Sequence, residues 1–396
     1  MNGQLEKMIM RTWTTILAGV SWVGAMGCAP QVFVQASSHG TSGEGGFHGS
    51  PSGAGGEGGT TSAMLDGGGA GGTGGGTPLA GAKYTTAAGY SDVVWDTTRN
   101  RVFLSGGSDG MVRVLDLKSS AWTSLTVGHR AEHLHFDSKL DLVLVSIAVQ
   151  DHTLNWDNAK QSGYFARIDA ATLMIPEPIL LPLDPWEIAS DGKNHAYIAG
   201  GSGQTTRVMV VNLTTGNVTM PFAAMISHGS SLQMPSDQKR IYAATTAVSP
   251  NTLHRYDLAG LIMPYPSFSG FDHPICGALR IHPAGTTMYS GCGNVFLATM
   301  SQDTDMTWTG DLGIPWRDLA FSADGKLAYL IPDKDPDVKG SVYKAVLYAV
   351  DTTSLKVVAT YNLDAPAERV VSSESGLLLV RETQASDLAT EIEVIP

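Results

Sequence analysis

The stretch LAFSADGKLAYLI (residues 319–331) consists of two short apolar runs separated by the polar turn SADGK. This pattern is typical of a β-hairpin, in which Asp and Gly form the turn between two antiparallel strands. The pattern occurs six more times, in VVWDTTRNRVFLS (93–105), LHFDSKLDLVLVS (134–146), EIASDGKNHAYIA (187–199), LQMPSDQKRIYAA (232–244), LRIHPAGTTMYSG (279–291) and VVSSESGLLLVRE (370–382). The seven starts are 40 to 53 residues apart, which is about the length of one blade of a β-propeller.

Further strands follow each hairpin. A third strand often ends in a turn that begins with Asp or Asn, as in RVLDLKSS, ARIDAATL, MVVNLTTG and YAVDTTSL. The last repeat ends after its third strand, EIEVIP (391–396), and one additional strand, AKYTTA (82–87), precedes the first hairpin. We expect this N-terminal strand to complete the last blade, because closing the ring removes the exposed sheet edges. The sequence therefore predicts an all-β fold, a seven-bladed propeller of four-stranded antiparallel blades over residues 79–396.

The segments SDGKNHAYIA, SADGKLAYLI and RVLDLKSS resemble the repeats of YVTN-repeat and lactonase-like seven-bladed propellers. The resemblance implies blade structure and no particular chemistry. That group includes sugar-lactone hydrolases, streptogramin lyases, quinoprotein-like enzymes and many proteins of unknown role. Function therefore has to be inferred from the site and not from the fold.

The N-terminal segment has the features of a targeting signal. Lys7 and Arg11 precede the apolar stretch WTTILAGVSWVGAMG (13–27), and Cys28 follows it. A positive region, a short apolar region and small residues at its end predict a secretory signal peptide over residues 1–27. The alternative is a permanent anchor helix, but the apolar run is shorter than the roughly 20 residues that span a bilayer.

The letters AMGC resemble the lipobox of bacterial lipoproteins, in which the cysteine becomes the lipidated first residue of the mature chain. Ala25 and Met26 depart from the commonest lipobox residues. The resemblance implies lipidation at Cys28, and Ala29 after it implies sorting to the outer membrane.

Residues 28–78 are dominated by Gly, Ser and Thr after the cysteine, which predicts a flexible, disordered linker. We therefore expect an exported protein, tethered by lipid in the bacterial cell envelope, with a monomeric propeller domain. The net charge of −12 disfavours nucleic acid as a partner.

The loops that precede the innermost strands of a propeller meet on one face, around the central channel. Such a polar cleft is the default position for a ligand site. In this sequence the loops contain many titratable and aromatic side chains, and we refer to the face they form as the mouth. The candidate mouth residues are Asp92, His129, Arg130, Glu132, His133, Trp186, Glu187, His228, His273, Trp316, Arg317, Glu368 and Arg369.

The letters HRAEH (129–133) match the H-x-x-E-H signature of inverted zinc peptidases, which requires a helix. Here the letters lead directly into the predicted strand LHFDSKLDLVLV. In extended geometry His129 and His133 are about 13 Å apart, too far to share one ion. We therefore expect no zinc-helix site.

Histidines from different blades remain an alternative metal site. His129, His228 and His273 are the candidate ligands for a divalent ion, and the other interpretation is hydrogen bonding at the blade junctions. We expect no other cofactor. Trp186 and Trp316 are either stacking platforms for a ligand or packing residues between blades.

Two cysteines flank the fifth hairpin. Cys276 and Cys292 each lie eight residues from Ala284, the predicted centre of the turn. This symmetry predicts direct cross-strand neighbours, with Cα atoms within reach of a disulfide. Export to an oxidising compartment favours the bond.

Two functions remain open. The first is a binding role, with a protein, a glycan or a small ligand at the mouth, and it is favoured because no G-x-S-x-G motif in the sequence lies between a predicted strand and a helix. The alternative is a lactonase-like hydrolase or lyase. Acid–base catalysis would then use Glu132, Glu187 or Glu368 with the mouth histidines, with or without a divalent metal.

Overall fold

A computed structural model describes the propeller but not the first 80 residues, so the predicted signal peptide, Cys28 and the linker lie outside the described residues. The described residues are 81–106, 108–153, 161–221, 224–247, 251–258, 263–264, 268–269, 272–334, 341–382 and 389–395. Regular structure in these ranges is entirely β-strand, in seven antiparallel sheets. None of their segments forms a helix that is long and apolar enough to cross a membrane.

Each sheet is one blade, and in the first six blades the inner, middle and outer strands follow one another in chain order from the channel outwards. Blade 1 contains β2 (Val93–Asp96), β3 (Arg101–Ser105), β4 (Met111–Asp116) and β5 (Ala121–Thr126). Blade 2 contains β6 (Arg130–Asp137), β7 (Leu142–Ala148), β8 (Gly163–Asp169) and β9 (Ile179–Leu181). Blade 3 contains β10 (Pro185–Ser190), β11 (His195–Gly200), β12 (Thr206–Asn212) and β13 (Val218–Thr219), and β14 (Met225–Ile226) also pairs with β12.

The remaining blades repeat this order. Blade 4 contains β15 (Ser231–Gln233), β16 (Arg240–Thr245), β17 (Thr252–Asp257) and β18 (Met263–Pro264), and β19 (Phe268–Ser269) also pairs with β17. Blade 5 contains β20 (Leu279–Ile281), β21 (Thr287–Ser290), β22 (Asn294–Leu297) and β23 (Trp308–Asp311). Blade 6 contains β24 (Trp316–Phe321), β25 (Leu327–Pro332), β26 (Val346–Asp351) and β27 (Lys356–Asn362). Blade 7 contains β28 (Arg369–Ser373), β29 (Gly376–Glu382) and β30 (Thr390–Ile395). The predicted seven-bladed fold is confirmed.

The N-terminal strand closes the ring as predicted. β1 (Ala82–Thr86) pairs antiparallel with β30, from Ala82 opposite Val394 to Thr86 opposite Thr390. Gly81 approaches β30 so closely that a Cβ there would lie 2.3 Å from the carbonyl oxygen of Val394. The first described strand therefore supplies the outer edge of the last blade, and no additional strand is needed to close the circle.

The turns after the third strands are held by their own side chains. Asp116 Oδ1 accepts hydrogen bonds from the backbone N–H groups of Lys118 (3.1 Å) and Ser119 (2.9 Å). Asp169, Asn212 and Asp351 accept equivalent bonds in blades 2, 3 and 6. These Asx turns explain why the sequence repeats Asp or Asn at this point.

The core lies between blades. Leu104 and Leu115 of blade 1 pack against Leu378 and Val380 of blade 7, and similar apolar clusters fill the other junctions. Burial of these faces from water is the main force that holds adjacent blades together.

The junction between blades 4 and 5 contains a cluster of buried charged side chains. Asp305, on the loop before β23, accepts hydrogen bonds from Arg255 Nη1 (2.8 Å) and from the hydroxyl of Tyr242 (2.6 Å). Arg240 donates to the same Tyr242 oxygen (2.8 Å). All four side chains are buried, so each charge depends on these partners in the absence of water.

The predicted disulfide between Cys276 and Cys292 is present, with Cα atoms 5.3 Å apart. The strand register assumed in the prediction was wrong by one residue. Leu279 pairs with Ser290, so the ladder places Cys276 and Cys292 one position out of register. The bond forms because both cysteines lie beyond the strand ends. Gly291 lets the chains approach there, because a Cβ at this position would lie 2.7 Å from the carbonyl oxygen of Cys276.

Candidate ligand-binding mouth

The sequence HRAEH belongs to the inner strand of blade 2. β6 begins at Arg130 and runs through His133 to Asp137, paired with β7. No helix is present at this point, so the arrangement that a zinc peptidase needs is absent.

Three inner strands are irregular where they begin at the mouth. The register shifts between Ala131 and Leu134 in β6, between Pro185 and Ile188 in β10, and between Trp316 and Asp318 in β24. A bulge leaves an extra residue out of the ladder and changes the direction of its side chain. Glu132, His133, Trp186, Glu187 and Arg317 all lie in these bulges, which is why polar side chains gather at this end of the channel.

A polar cluster around His152 joins blades 2 and 3. Its Nε2 is 2.6 Å from Glu132 Oε2, and its Nδ1 is 2.6 Å from Asp184 Oδ2. Burial alone lowers the pKa of His152, but the hydrogen bonds to Asp184 and Glu132 outweigh it and raise the pKa to about 9. The imidazole is therefore a cation at neutral pH, and each carboxylate has a fixed partner.

Small residues make room for this cluster. A Cβ at Gly201 would lie 2.3 Å from Nδ1 of His152, so no other residue fits beside the ring without displacing it. Ser202 donates to Asp184 Oδ2 and accepts a hydrogen bond from the backbone N–H of Thr153 (3.0 Å). The loop after β7 and the loop after β11 are thereby tied together over the blade junction.

Trp186 lies between two histidines. Its ring centroid is 4.5 Å from that of His133 and 4.9 Å from that of His152. His133 Nδ1 is 3.7 Å from Asp92 Oδ2, which also accepts the backbone N–H of Leu134 (2.9 Å). Burial opposes the ionisation of Asp92, but His133, Arg369 and that N–H outweigh it and hold its pKa below the ordinary value.

A second polar cluster lies across the channel, between blades 6, 7 and 1. Arg317 forms an ion pair with Glu368 (3.0 Å), whose other oxygen accepts the hydroxyl of Tyr90 (3.2 Å). The Arg317 guanidinium also lies over the ring of Tyr343, 4.4 Å from its centroid. These contacts hold both charged side chains in place.

A cavity of about 280 Å³ is lined by residues of blades 1, 5, 6 and 7. Its polar side chains include Asp92, Arg280, Asp318 and Arg369. Asp318 accepts Arg280 Nη2 (2.7 Å) on one oxygen and the backbone N–H of Val370 (2.9 Å) on the other. Asp92, Arg280 and Asp318 at this cavity are therefore held in place by their partners.

The candidate histidines are spread apart. His129 stacks on Tyr164 of β8, with centroids 5.7 Å apart, and His273 stacks on Trp308 of the outer strand β23, with centroids 4.2 Å apart. His228 has a pKa lowered by burial, and its Nδ1 is buried without a hydrogen-bond partner among the described residues. Within the ranges that the structure describes, no three His, Cys, Asp or Glu side chains come together as a metal site.

The other candidates occupy different environments. Trp316 is 2% exposed and packs in the apolar cluster of Leu319, Leu330 and Val350, so its ring is part of a blade junction. Arg130 pairs with Glu132 (2.7 Å) and with Asp151 at the rim. Burial raises the pKa of Glu187, whose Oε1 accepts a hydrogen bond from Gln233 (3.1 Å).

Several mouth residues were missed by the sequence reasoning. His152, Ser202 and Tyr343 lie on loops between the second and third strands of their blades. The predicted mouth residues, by contrast, come from the loops before the first strands. In an antiparallel blade both kinds of loop lie on the same face. The order of the strands was therefore enough to predict that the loops between the second and third strands also face the mouth. Arg280 and Asp318 lie inside inner strands, where alternation directs every second side chain to the channel.

No known family model matches the sequence, and no curated protein matches it. Among solved structures the chain is similar to the crystal structure of the β-propeller domain of Cps50 (Swd1) from Myceliophteria thermophila. The TM-score is 0.59 at 13% sequence identity, and the match covers 81% of this chain and 100% of that one. At this level of identity the comparison shows a shared β-propeller fold and nothing about function.

Proposed function

We propose that the chain is an exported, lipid-tethered propeller lipoprotein that binds a ligand at its mouth. The observation that carries the binding role is the preorganised set of charges at the mouth, where an open cavity lies between blades 1, 5, 6 and 7. Glu132, Asp184, Asp318 and Glu368 are each held by a cation or by a backbone or hydroxyl donor. A site that is fixed before binding loses little conformational entropy when a ligand enters.

The proposal of a lipid tether rests on the sequence. The signal-like segment, the lipobox-like AMGC and the Gly-rich linker support a lipid at Cys28 followed by a flexible connection. Cells expressing the chain should incorporate labelled palmitate into it and retain it in the membrane fraction. Cys28→Ser should lose both properties, and retention of the label by this variant would contradict lipidation at Cys28.

A ligand screen tests the binding role. The purified full-length chain, kept in mild detergent, is heated with neutral sugars, sugar acids, amino acids and oligosaccharides, and shifts in melting temperature are recorded. A ligand of the mouth should lose its shift in Trp186→Ala or in Arg369→Gln, depending on the side of the mouth that it occupies. It should keep its shift in Trp122→Ala, which alters an outer strand. Shifts that survive Trp186→Ala and every other mouth substitution would place binding elsewhere and contradict the proposal.

A hydrolase or lyase is the second candidate. It is favoured by Glu187, because burial raises the pKa of its carboxyl group, which is the direction expected of a general acid. Turnover of simple sugar lactones that falls at least about a hundredfold in Glu187→Gln would support this candidate, given the usual contribution of general acid–base catalysis. Equal turnover by the variant would exclude Glu187 as the acid.

A further inference from the structure

Arg369 differs from the other arginines described at the mouth. It is half-buried at the start of β28 and lines the 280 Å³ cavity, yet no hydrogen bond or ion pair joins its guanidinium to another described residue. By contrast, Arg130, Arg280 and Arg317 each have a carboxylate partner within 3.0 Å. Its N–H donors therefore face the open cavity without an acceptor among the described residues and can pair with a ligand.

The surrounding acids do not supply that partner. Asp318 is occupied by Arg280 and by the N–H of Val370, and Glu368 is occupied by Arg317 and Tyr90. Asp92 accepts the backbone N–H groups of Val93 and Leu134, both at 2.9 Å. These acids attract Arg369 across the cavity but are fixed at a distance from it.

We infer that the cavity binds a small carboxylate that also carries hydroxyl or ammonium groups, with the carboxylate on Arg369. This inference rests on the proposed binding function of the mouth. Arginine presents paired N–H donors that fit a carboxylate in a two-point contact. The remaining lone pairs of Asp92 and Asp318, which also line the cavity, accept hydrogen bonds from the hydroxyl or ammonium groups.

Charge and size agree with this ligand class. Arg280, Arg369, Asp92 and Asp318 sum to zero, so an amino acid zwitterion leaves the cavity neutral and a sugar acid adds one negative charge beside Arg369. The net charge of −12 acts weakly here, because charges more than about 8 Å away are screened at physiological salt. At roughly 30 Å³ per water, the cavity holds the volume of about nine waters, enough for one sugar acid or amino acid.

Calorimetric titration of the full-length chain tests the inference. The probes are D-glucuronate, its neutral counterpart D-glucose, and L-alanine, so that a sugar acid and an amino acid are distinguished. Arg369→Gln removes the charge at similar size, Arg369→Lys keeps the charge without the paired donors, and Arg99→Gln is a matched control on the opposite face of blade 1.

At least one carboxylate should bind the native protein more tightly than glucose does. Loss of a hydrogen bond to a charged group predicts about a tenfold to hundredfold weaker affinity in Arg369→Gln, with a smaller loss in Arg369→Lys. Arg99→Gln should bind as the native protein does. Equal affinity of the native protein and Arg369→Gln for the carboxylate would overturn the inference.

Failure of the two proposals can be told apart. If glucose binds as tightly as glucuronate and a substitution at any mouth residue abolishes the binding of both, the mouth is a binding site and the carboxylate inference is wrong. If no probe or screened compound shows a response that depends on any mouth residue, the proposed function fails as well.

Discussion

The ion cluster around His152 should make the stability of the domain depend on pH in a defined direction. The folded-state pKa of about 9 lies above the ordinary value of 6.5, so the folded protein holds this proton more tightly than the unfolded chain. The resulting stabilisation is fully present below about pH 6.5 and is lost as the pH rises through 9. A shift of this size corresponds to about 3 kcal/mol, at roughly 1.4 kcal/mol per pKa unit.

The matched variant is His152→Gln, which keeps a polar side chain of similar length but cannot take up the proton. Changes at titrating groups away from the His152 cluster are shared by both proteins and cancel in the difference. With an unfolding entropy of about 2.1 cal/mol/K per residue over roughly 300 residues, 3 kcal/mol corresponds to about 5 °C in melting temperature.

Scanning calorimetry at constant ionic strength from pH 6 to pH 9.5 measures this difference. The native protein should melt several degrees above His152→Gln at pH 6, and most of that advantage should disappear by pH 9.5. A difference that stays constant over this range would refute a charged His152 between Glu132 and Asp184.

Three other substitutions test separate contacts. Gly201→Ala forces a methyl group against the His152 ring. It should therefore weaken the pH dependence of the melting temperature in the same calorimetric series. An unchanged pH dependence would contradict the close approach of Gly201 to the ring. Asp305→Ala removes the buried partner of Arg255 and should lower the free energy of unfolding in urea by about 3–5 kcal/mol. A loss below about 1 kcal/mol would show that the junction is open to water. Cys276→Ser removes a bond across 16 residues and should cost about 3 kcal/mol, and the native protein in reductant should show the same loss.

The sequence contained most of the information about the fold. The seven hairpins were recognisable because each one alternates apolar runs with an Asp- or Gly-containing turn, and the strand at residues 82–87 had no other partner than the incomplete last blade. The disulfide was predicted from symmetry, and it forms in spite of a shift of one residue because the cysteines lie where the ladder no longer fixes the pairing.

The mouth was predicted only in part, for physical reasons. Loop position indicated Glu132, Trp186 and Arg369, but it did not indicate whether each side chain is paired, stacked or free. His129 and His273 are drawn to the faces of Tyr164 and Trp308, which are distant in sequence. The pairing of His152 with Asp184 crosses a blade junction, so only the packing of complete blades brings the two residues together.

The most direct test of the mouth as a binding site is the reactivity of Arg369 itself. The native full-length chain is treated with the arginine reagent phenylglyoxal, with and without saturating D-glucuronate, and labelling is measured at each arginine by peptide mass mapping. We predict that Arg369 is labelled in the free protein and protected by glucuronate, whereas labelling of Arg99 does not change. Labelling of Arg369 that is the same with and without the bound carboxylate would contradict the account.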